Sequence, residues 1–485
     1  MPYPGHPYAQ THPDRLAALG TLFRINPAPP EGCRVLELGC GDGGNLVPMA
    51  LGLPGARFHG IDAAEGAIER GRSLVEAVGL TNVTLEVGAI EELELPPEAF
   101  DYVIAHGVYS WVGTRVRDRL LQLCRSALSE RGIAYVSYNV LPGGRLSGAL
   151  RDMLVFHTAG LEDPAERVEQ ARALLGLLMR GWSAEHEFGA IMRGQAERLL
   201  ERSDETLFHD ELAAVNEPVY FHEFASHAAR FKLQYLAEAD FFEMQMGVLP
   251  ETVSDELLTV EDVIRREQYL DFVKGRMFRQ TLLCRAELEL DRTPQPLIVQ
   301  TLAVSSPAQP TGAPDRKGGV TFEGPTGSTL TTDHPLVCRA LERVGRGWPG
   351  ALWVRDLIPE AASEAERFAV CGALLRCYAA NLVQLHATPP PLITSVSDRP
   401  EASPLARHQA RSGPLVTNLR HASVRLEDDL GRRLVVLLDG TRDRAQLLHE
   451  LRAFLLESGR QVPDPLEVGL ERSLEGIARL ALLRG

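Results

Sequence analysis

The run Val35-Leu36-Glu37-Leu38-Gly39-Cys40-Gly41-Asp42-Gly43-Gly44-Asn45 sets a carboxylate two residues before a glycine-rich turn. An apolar, strand-like run carries the acid, and a helical pattern follows from about Asn45 to Ala50. Glycine at 39 and 41 permits a tight turn and close approach of backbone to a ligand. A helix opening there points free N–H groups at that ligand. Gly39, Gly41 and Gly44 also satisfy the G-x-G-x-x-G dinucleotide pattern. Glu37 argues against that use, because a carboxylate repels a pyrophosphate and attracts a ligand with an ammonium and no phosphate. Three readings stand: a site for such a cation, a dinucleotide site, or a turn without a ligand. The acid favours the first.

A second acid, Asp62, follows the turn by about twenty residues, the distance at which a carboxylate accepts ribose hydroxyls. Capping the helix that starts near Ala64 would also explain an Asp, but not this spacing. Asn45 and Ala63 flank the two acids and belong to the same candidate site, whereas Cys40 reads as a turn residue and not a nucleophile. His106 and Gly107 follow a fourth strand. Tyr109, Trp111, Tyr138 and Asn139 follow the fourth and fifth strands, where ligands of doubly wound sheets sit. Each aromatic could equally be core. His106 reads as a ligand contact or a satisfied loop histidine. No metal-binding cluster is expected.

These residues require a parallel sheet to hold them. Strands are expected at Arg57–Ile61, Val83–Val87, Tyr102–Ala105 and Ile133–Tyr138, with helices Ala64–Val78 and Arg117–Leu128 and a turn at Arg131-Gly132. Residues 1–14 read as an arm that is either a loose tail or a cover for the site. Asp14 or Thr11 would cap helix Arg15–Leu22. After a helical insertion at about 146–210, the helix-like Phe221–Ala229 and Gln268–Lys274 and the strand-like Leu233–Leu236 and Arg276–Arg285 complete the sheet. Leu150, Leu154, Ala171, Leu174, Leu175 and Leu178 show helical spacing inside the insertion. Residues 1–290 thus read as one α/β domain. Linkers at about 291–319 and 389–413 separate it from two small α+β units, 320–388 and 414–485, both winged-helix-like.

A chain of 485 residues needs several cores. The net charge of −15 argues against a broad nucleic-acid surface. The 7 scattered cysteines suggest reduced thiols and a cytoplasmic location. The polar N-terminus does not read as a signal peptide. No apolar run approaches the roughly 18 residues of a membrane span.

The chain resembles the bacterial class I methyltransferases with a methyltransferase regulatory region, a group that includes rickettsial outer-membrane-protein lysine methyltransferases. The resemblance rests on the run 37–45, Gly60-Ile61-Asp62, the run Ala105–Val112 and Ala134–Asn139. His209-Asp210-Glu211-Leu212 and the run Asn216–Phe224 resemble the regulatory region, about 209–290. It implies a Rossmann-like seven-stranded sheet and S-adenosylmethionine as cofactor, held by Glu37, Gly39, Cys40, Gly41, Asn45, Asp62, Ala63, His106 and Gly107. Where many such enzymes place an acid against adenine, this chain has Gly88-Ala89-Ile90. Ala89 then offers only its backbone, and adenine is held by backbone groups and apolar contact, as from Ile90, or by Glu91. The resemblance further implies a lysine acceptor in a protein or peptide, with Tyr109, Trp111 and Tyr138 as an aromatic throat and Asn139 orienting the amine. A small-molecule, peptide or natural-product acceptor is the alternative. The insertion would cap the site or form a homodimer face. The run Val436–Thr441 also resembles small peptide-binding winged-helix modules.

Overall fold

The computed structural model describes residues 5–313, 315–316, 318–463 and 465–484; the first four arm residues lie outside them. Seven strands form the central sheet: β1 (Arg34–Leu38), β2 (Arg57–Asp62), β3 (Val83–Val87), β4 (Phe100–Ala105), β5 (Leu128–Asn139), β6 (Leu233–Glu238) and β7 (Phe278–Arg285). Their order is β3-β2-β1-β4-β5-β7-β6. The first five are mutually parallel, and β7 runs antiparallel to both β5 and β6. Val35, Leu36 and Leu38 of β1 and every residue of β4 are buried. Strands covered on both faces read as continuous apolar runs, and so the sequence betrays them. The chain turns opposite ways after β1 and β4. That switch opens a crevice at their carboxyl ends.

Flanking helices are α1 (Pro13–Leu22), α2 (Leu46–Gly52), α3 (Glu65–Val78) and α4 (Thr114–Ala127). Helix α1 starts earlier than expected and has a different cap. Pro13 fills its first turn, and His12 Nδ1 accepts from Asp14 N at 3.3 Å. The expected turn at Arg131-Gly132 lies inside β5, where the pairing skips from Phe100↔Leu128 to Tyr102↔Ile133. The bulge absorbs the turn without ending the strand.

The insertion is three helices, α5 (Gly144–His157), α6 (Pro164–Gly181) and α7 (Glu187–Leu200). They enclose a core of their own around Leu150, Leu154, Ala171, Leu175, Ala196 and Leu199. A π-helical turn, Leu207–Glu211, leads back to the sheet. Helices α8 (Phe221–Arg230) and α9 (Val263–Lys274) then pack beside β6 and β7. A buried ionic cluster fastens them. Arg279 of β7, 1% exposed, donates to Glu238 Oε1 (2.6 Å), Glu267 Oε2 (3.0 Å) and Asp271 Oδ1 (2.8 Å), and its guanidinium lies 3.9 Å from the Phe221 ring centroid.

Both expected linkers carry structure. Ala303–Ser305 pairs with Leu352–Trp353 and Gln384–His386, so the middle unit begins before residue 320. Helix Pro404–Ser412 belongs to the C-terminal unit and buries Leu405, Ala406 and Ala410. That unit continues with the hairpin Leu415–Thr417/Ser423–Arg425 and helices Asp429–Leu437, Arg444–Glu457 and Leu466–Arg479. Among the described residues no helix is long and apolar enough to cross a membrane.

Candidate functional site

A cavity of about 910 Å³ opens at the carboxyl ends of β1, β2 and β4, bounded by the glycine turn, Asp62 and the loop after β4. Glu37 ends inside it, 3% exposed. Its Oε1 accepts from Asn45 Nδ2 at 2.7 Å, while Oε2 is buried without a hydrogen-bond partner among the described residues. Burial pushes this carboxyl up to about 8. A ligand ammonium at Oε2 would supply the missing donor and restore the carboxylate. The orphaned oxygen is therefore the signature of a cationic ligand and not of a pyrophosphate.

Asp62 lines the cavity. Oδ2 accepts from Gly41 N and Oδ1 from Ala64 N, each at 2.8 Å. These bonds orient the carboxylate at the cavity, while α3, which begins after Ala64, takes no side-chain cap. Gly41 adopts φ +56°, and a Cβ there would meet nothing of the protein within 4 Å, so the open side faces the ligand space. Gly39, Cys40, Asn45 and Ala63 line the same cavity.

Residues 5–14 of the N-terminal arm lie over the cavity as a cover. A Cβ on Gly44 would lie 2.4 Å from Gly5 Cα, so the arm rests directly on the glycine turn. Tyr8 N and Thr11 Oγ donate to Asn45 Oδ1 at 2.9 and 3.1 Å. The Tyr8 ring stacks on His106 at 3.7 Å, and His6 and Tyr8 both face the cavity. His106 itself sits 2.9 Å from the Tyr135 hydroxyl through Nδ1, and burial lowers its pKa to about 4. It is a neutral wall of the site at physiological pH. Gly107 N donates to Ser137 Oγ at 2.9 Å and also faces the cavity.

Three expected site residues are placed elsewhere. Ala89 precedes a single 3-10 turn and does not reach the cavity; Gly88 and Ile90 form that wall. Tyr138 is fully buried, stacked on Phe224 at 4.0 Å with its hydroxyl 2.9 Å from Thr281 Oγ1. Tyr109 is 3% exposed, and its hydroxyl meets His227 Nδ1 at 2.7 Å. Side chains alternate along β5, and Tyr138 falls in the same apolar cluster as Val136, Phe224 and Ala228. No three-ring throat exists.

Trp111 and Asn139 line cavity walls. A second cavity of about 300 Å³ lies between the loop after β5, α5 and α7, and shares Trp111, Asp210 and Phe278 with the first. The Trp111 indole N–H is buried without a partner among the described residues. Asn139 Nδ2 donates to Asn216 Oδ1 at 2.8 Å, leaving its amide oxygen as the acceptor on the other side. The π-helical turn brings His209 and Asp210 to the first cavity, a use such turns often have. Burial raises the Asp210 carboxyl. His209 and Asp210 were flagged only as part of a family run. Phe278, which opens β7, carried no sequence signal. Among the described residues no cluster of His, Cys, Asp and Glu could hold a metal.

Three family descriptions match the chain: "Methyltransferase domain" over residues 30–186, "Predicted methyltransferase regulatory domain" over 203–285, and "PKMT, C-terminal winged helix domain" over 398–465. RP789 of Rickettsia prowazekii, named as an uncharacterized protein, is 32% identical over 475 residues, which is 93% of this chain and 84% of RP789. The chain belongs to this family of S-adenosylmethionine-dependent methyltransferases. The methyltransferase shares its whole fold with PKMT2 from Rickettsia typhi, at 24% identity, a TM-score of 0.88 and full coverage of both chains. A second structure of PKMT2, in complex with AdoHcy, matches at 25% identity and a TM-score of 0.86, again over 100% of each chain. S-adenosylmethionine is the cofactor of this methyltransferase. Glu37 and Asp62 fit its ammonium and its ribose.

Proposed function

We propose that this methyltransferase modifies the ε-amine of lysine in a protein or peptide. The observation that carries the reading is the second cavity, which meets the cofactor cavity at Trp111, Asp210 and Phe278. A side cavity that opens onto the methyl-donor cavity suits a long side chain whose end reaches the donor. The PKMT label of the C-terminal domain and of the matching rickettsial structures supports a lysine acceptor.

Bound cofactor supplies a sulfonium-activated methyl, so the protein's work is alignment and proton removal. Glu37 Oε2 would hold the ammonium and Asp62 the ribose, and Gly88 and Ile90 would wall the base. Trp111 flanks the acceptor stem and Asn139 offers its amide oxygen to the amine. Only about one free lysine in a thousand is neutral at pH 7. Burial in the channel disfavours the ammonium, and Asp210, itself raised by burial, stands at the junction to accept the proton.

We further assign the insertion to a homodimer face, because Phe156, Leu177, Phe188 and Ile191 stand exposed on it. The seven free thiols, six of them buried, support residence in a reducing cytoplasm. Residues 1–290 act as the catalytic domain, with the two winged-helix-like units appended.

Trp111→Ala tests the channel. Methyl transfer to a lysine-bearing protein should fall roughly 100-fold, the cost of a misplaced acceptor. Calorimetric affinity for S-adenosylhomocysteine should change less than about threefold, since the indole serves the acceptor side. Equal loss of binding and transfer would make Trp111 part of the cofactor site and remove the channel.

A further inference from the structure

The hairpin Leu415–Thr417/Ser423–Arg425 of the C-terminal unit ends in a tight turn. Asn418 Oδ1 accepts from Arg420 N and Ala422 N, both at 3.0 Å. This turn holds His421 at φ +57°, a conformation that costs a residue with a Cβ. Its two neighbouring side chains go opposite ways. Arg420 enters the middle unit, donating to Pro349 O at 2.7 Å and lying 4.0 Å from the Trp348 ring centroid. His421, 4% exposed, enters the cofactor motif instead, where Nε2 lies 2.9 Å from Asn45 Oδ1.

The protons are fixed by the partners. Burial holds His421 well below its ordinary pKa, so it is neutral. Its Nδ1 has no partner among the described residues, which leaves the proton on Nε2 as the donor. Asn45 Oδ1 therefore faces two N–H donors, Tyr8 N and His421 Nε2, beside the Thr11 hydroxyl, whose one proton is shared with Tyr8 O. A flipped amide would set its NH2 against a backbone N–H, so Nδ2 must point at Glu37 Oε1. Glu37 is thereby held with Oε2 free for the ligand. Four stretches of chain meet at one amide: the arm, the turn after β1, β1 itself and a hairpin 376 residues away.

We propose that His421 is a positioning residue for the amino-acid end of the cofactor, and that the C-terminal unit sets cofactor affinity through Asn45 and Glu37. By reciprocity, a partner that displaces the hairpin tip changes cofactor affinity by the same factor as the cofactor changes that partner's.

Calorimetry on the full chain tests this with two ligands. S-adenosylhomocysteine carries the ammonium that Glu37 would hold. 5′-Methylthioadenosine has the same nucleoside and thioether but no amino-acid end. His421→Ala should weaken S-adenosylhomocysteine about tenfold, the worth of one lost buried hydrogen bond, and 5′-methylthioadenosine less than about twofold. His421→Gln, whose amide N–H can replace Nε2–H, should recover most of the loss. Should the alanine variant not fold, His421→Asn keeps a polar side chain too short to reach Asn45 and is expected to show the same split. Equal weakening of both ligands would reduce His421 to a packing residue, and no weakening of either would abolish the coupling.

Discussion

Asp62→Ala should cost roughly 100-fold or more in affinity for S-adenosylhomocysteine, because two hydrogen bonds to a charged acceptor are each worth about 1.5–3 kcal/mol. The carboxylate is pre-aimed by Gly41 N and Ala64 N, so little ordering remains to be done on binding. Asp62→Asn should fall between, since it keeps one oxygen and loses the charge. The thermal midpoint of the ligand-free protein should fall by only about 2–4 °C, the cost of the bonds that Gly41 N and Ala64 N lose. Calorimetry and a melting curve on the same samples decide it. A loss below about threefold would remove Asp62 from the ribose site.

The second large effect is on stability. Arg279→Leu leaves Glu238 buried without its cation and Glu267 and Asp271 with Arg276 alone. Breaking a buried ionic cluster in this way costs about 3–5 kcal/mol. For a domain of this size that is a drop on the order of 10 °C in the melting midpoint. The pH dependence has a definite sign. Burial already raises the Glu267 and Asp271 carboxyls, and loss of the guanidinium raises them further. Acids whose folded pKa lies above the unfolded value destabilise the fold as pH rises through that window and do so least below it. The deficit of Arg279→Leu should therefore be largest near pH 7 and shrink as the pH falls toward 5. A midpoint within about 2 °C of the parent at pH 7, or a deficit that grows in acid, would contradict this account.

The same physics decides what the sequence shows and what it hides. Strands β1, β4 and the second half of β5 are legible because burial on both faces demands continuous apolar runs, and the edge strand β3 shows instead as an alternation. Helix Pro404–Ser412 is not, because Arg407, His408, Gln409 and Arg411 outnumber its three buried positions. Ala303–Ser305 is too short to show a period. Within the site, Glu37 and Asp62 follow from spacing against a glycine turn. Tyr138 was misplaced because proximity to a strand end does not say which face a side chain takes, and alternation turns this one toward Phe224. The arm was legible as a candidate cover, but not its bonds to Asn45. His421 could not be found, since nothing local marks a contact made across 376 residues.

The cavity at Glu37 and Asp62 meets, at Trp111, the cavity proposed for the acceptor. The most direct test is to incubate the full-length protein with tritium-labelled S-adenosylmethionine and a bacterial lysate, then locate the label by mass spectrometry. The expected result is methyl groups on lysine Nε of one or a few proteins, absent with Asp62→Ala and rising in rate between pH 7 and about 9 as more acceptor amine becomes neutral. Label confined to small molecules, or carried by proteins at residues other than lysine, would contradict it.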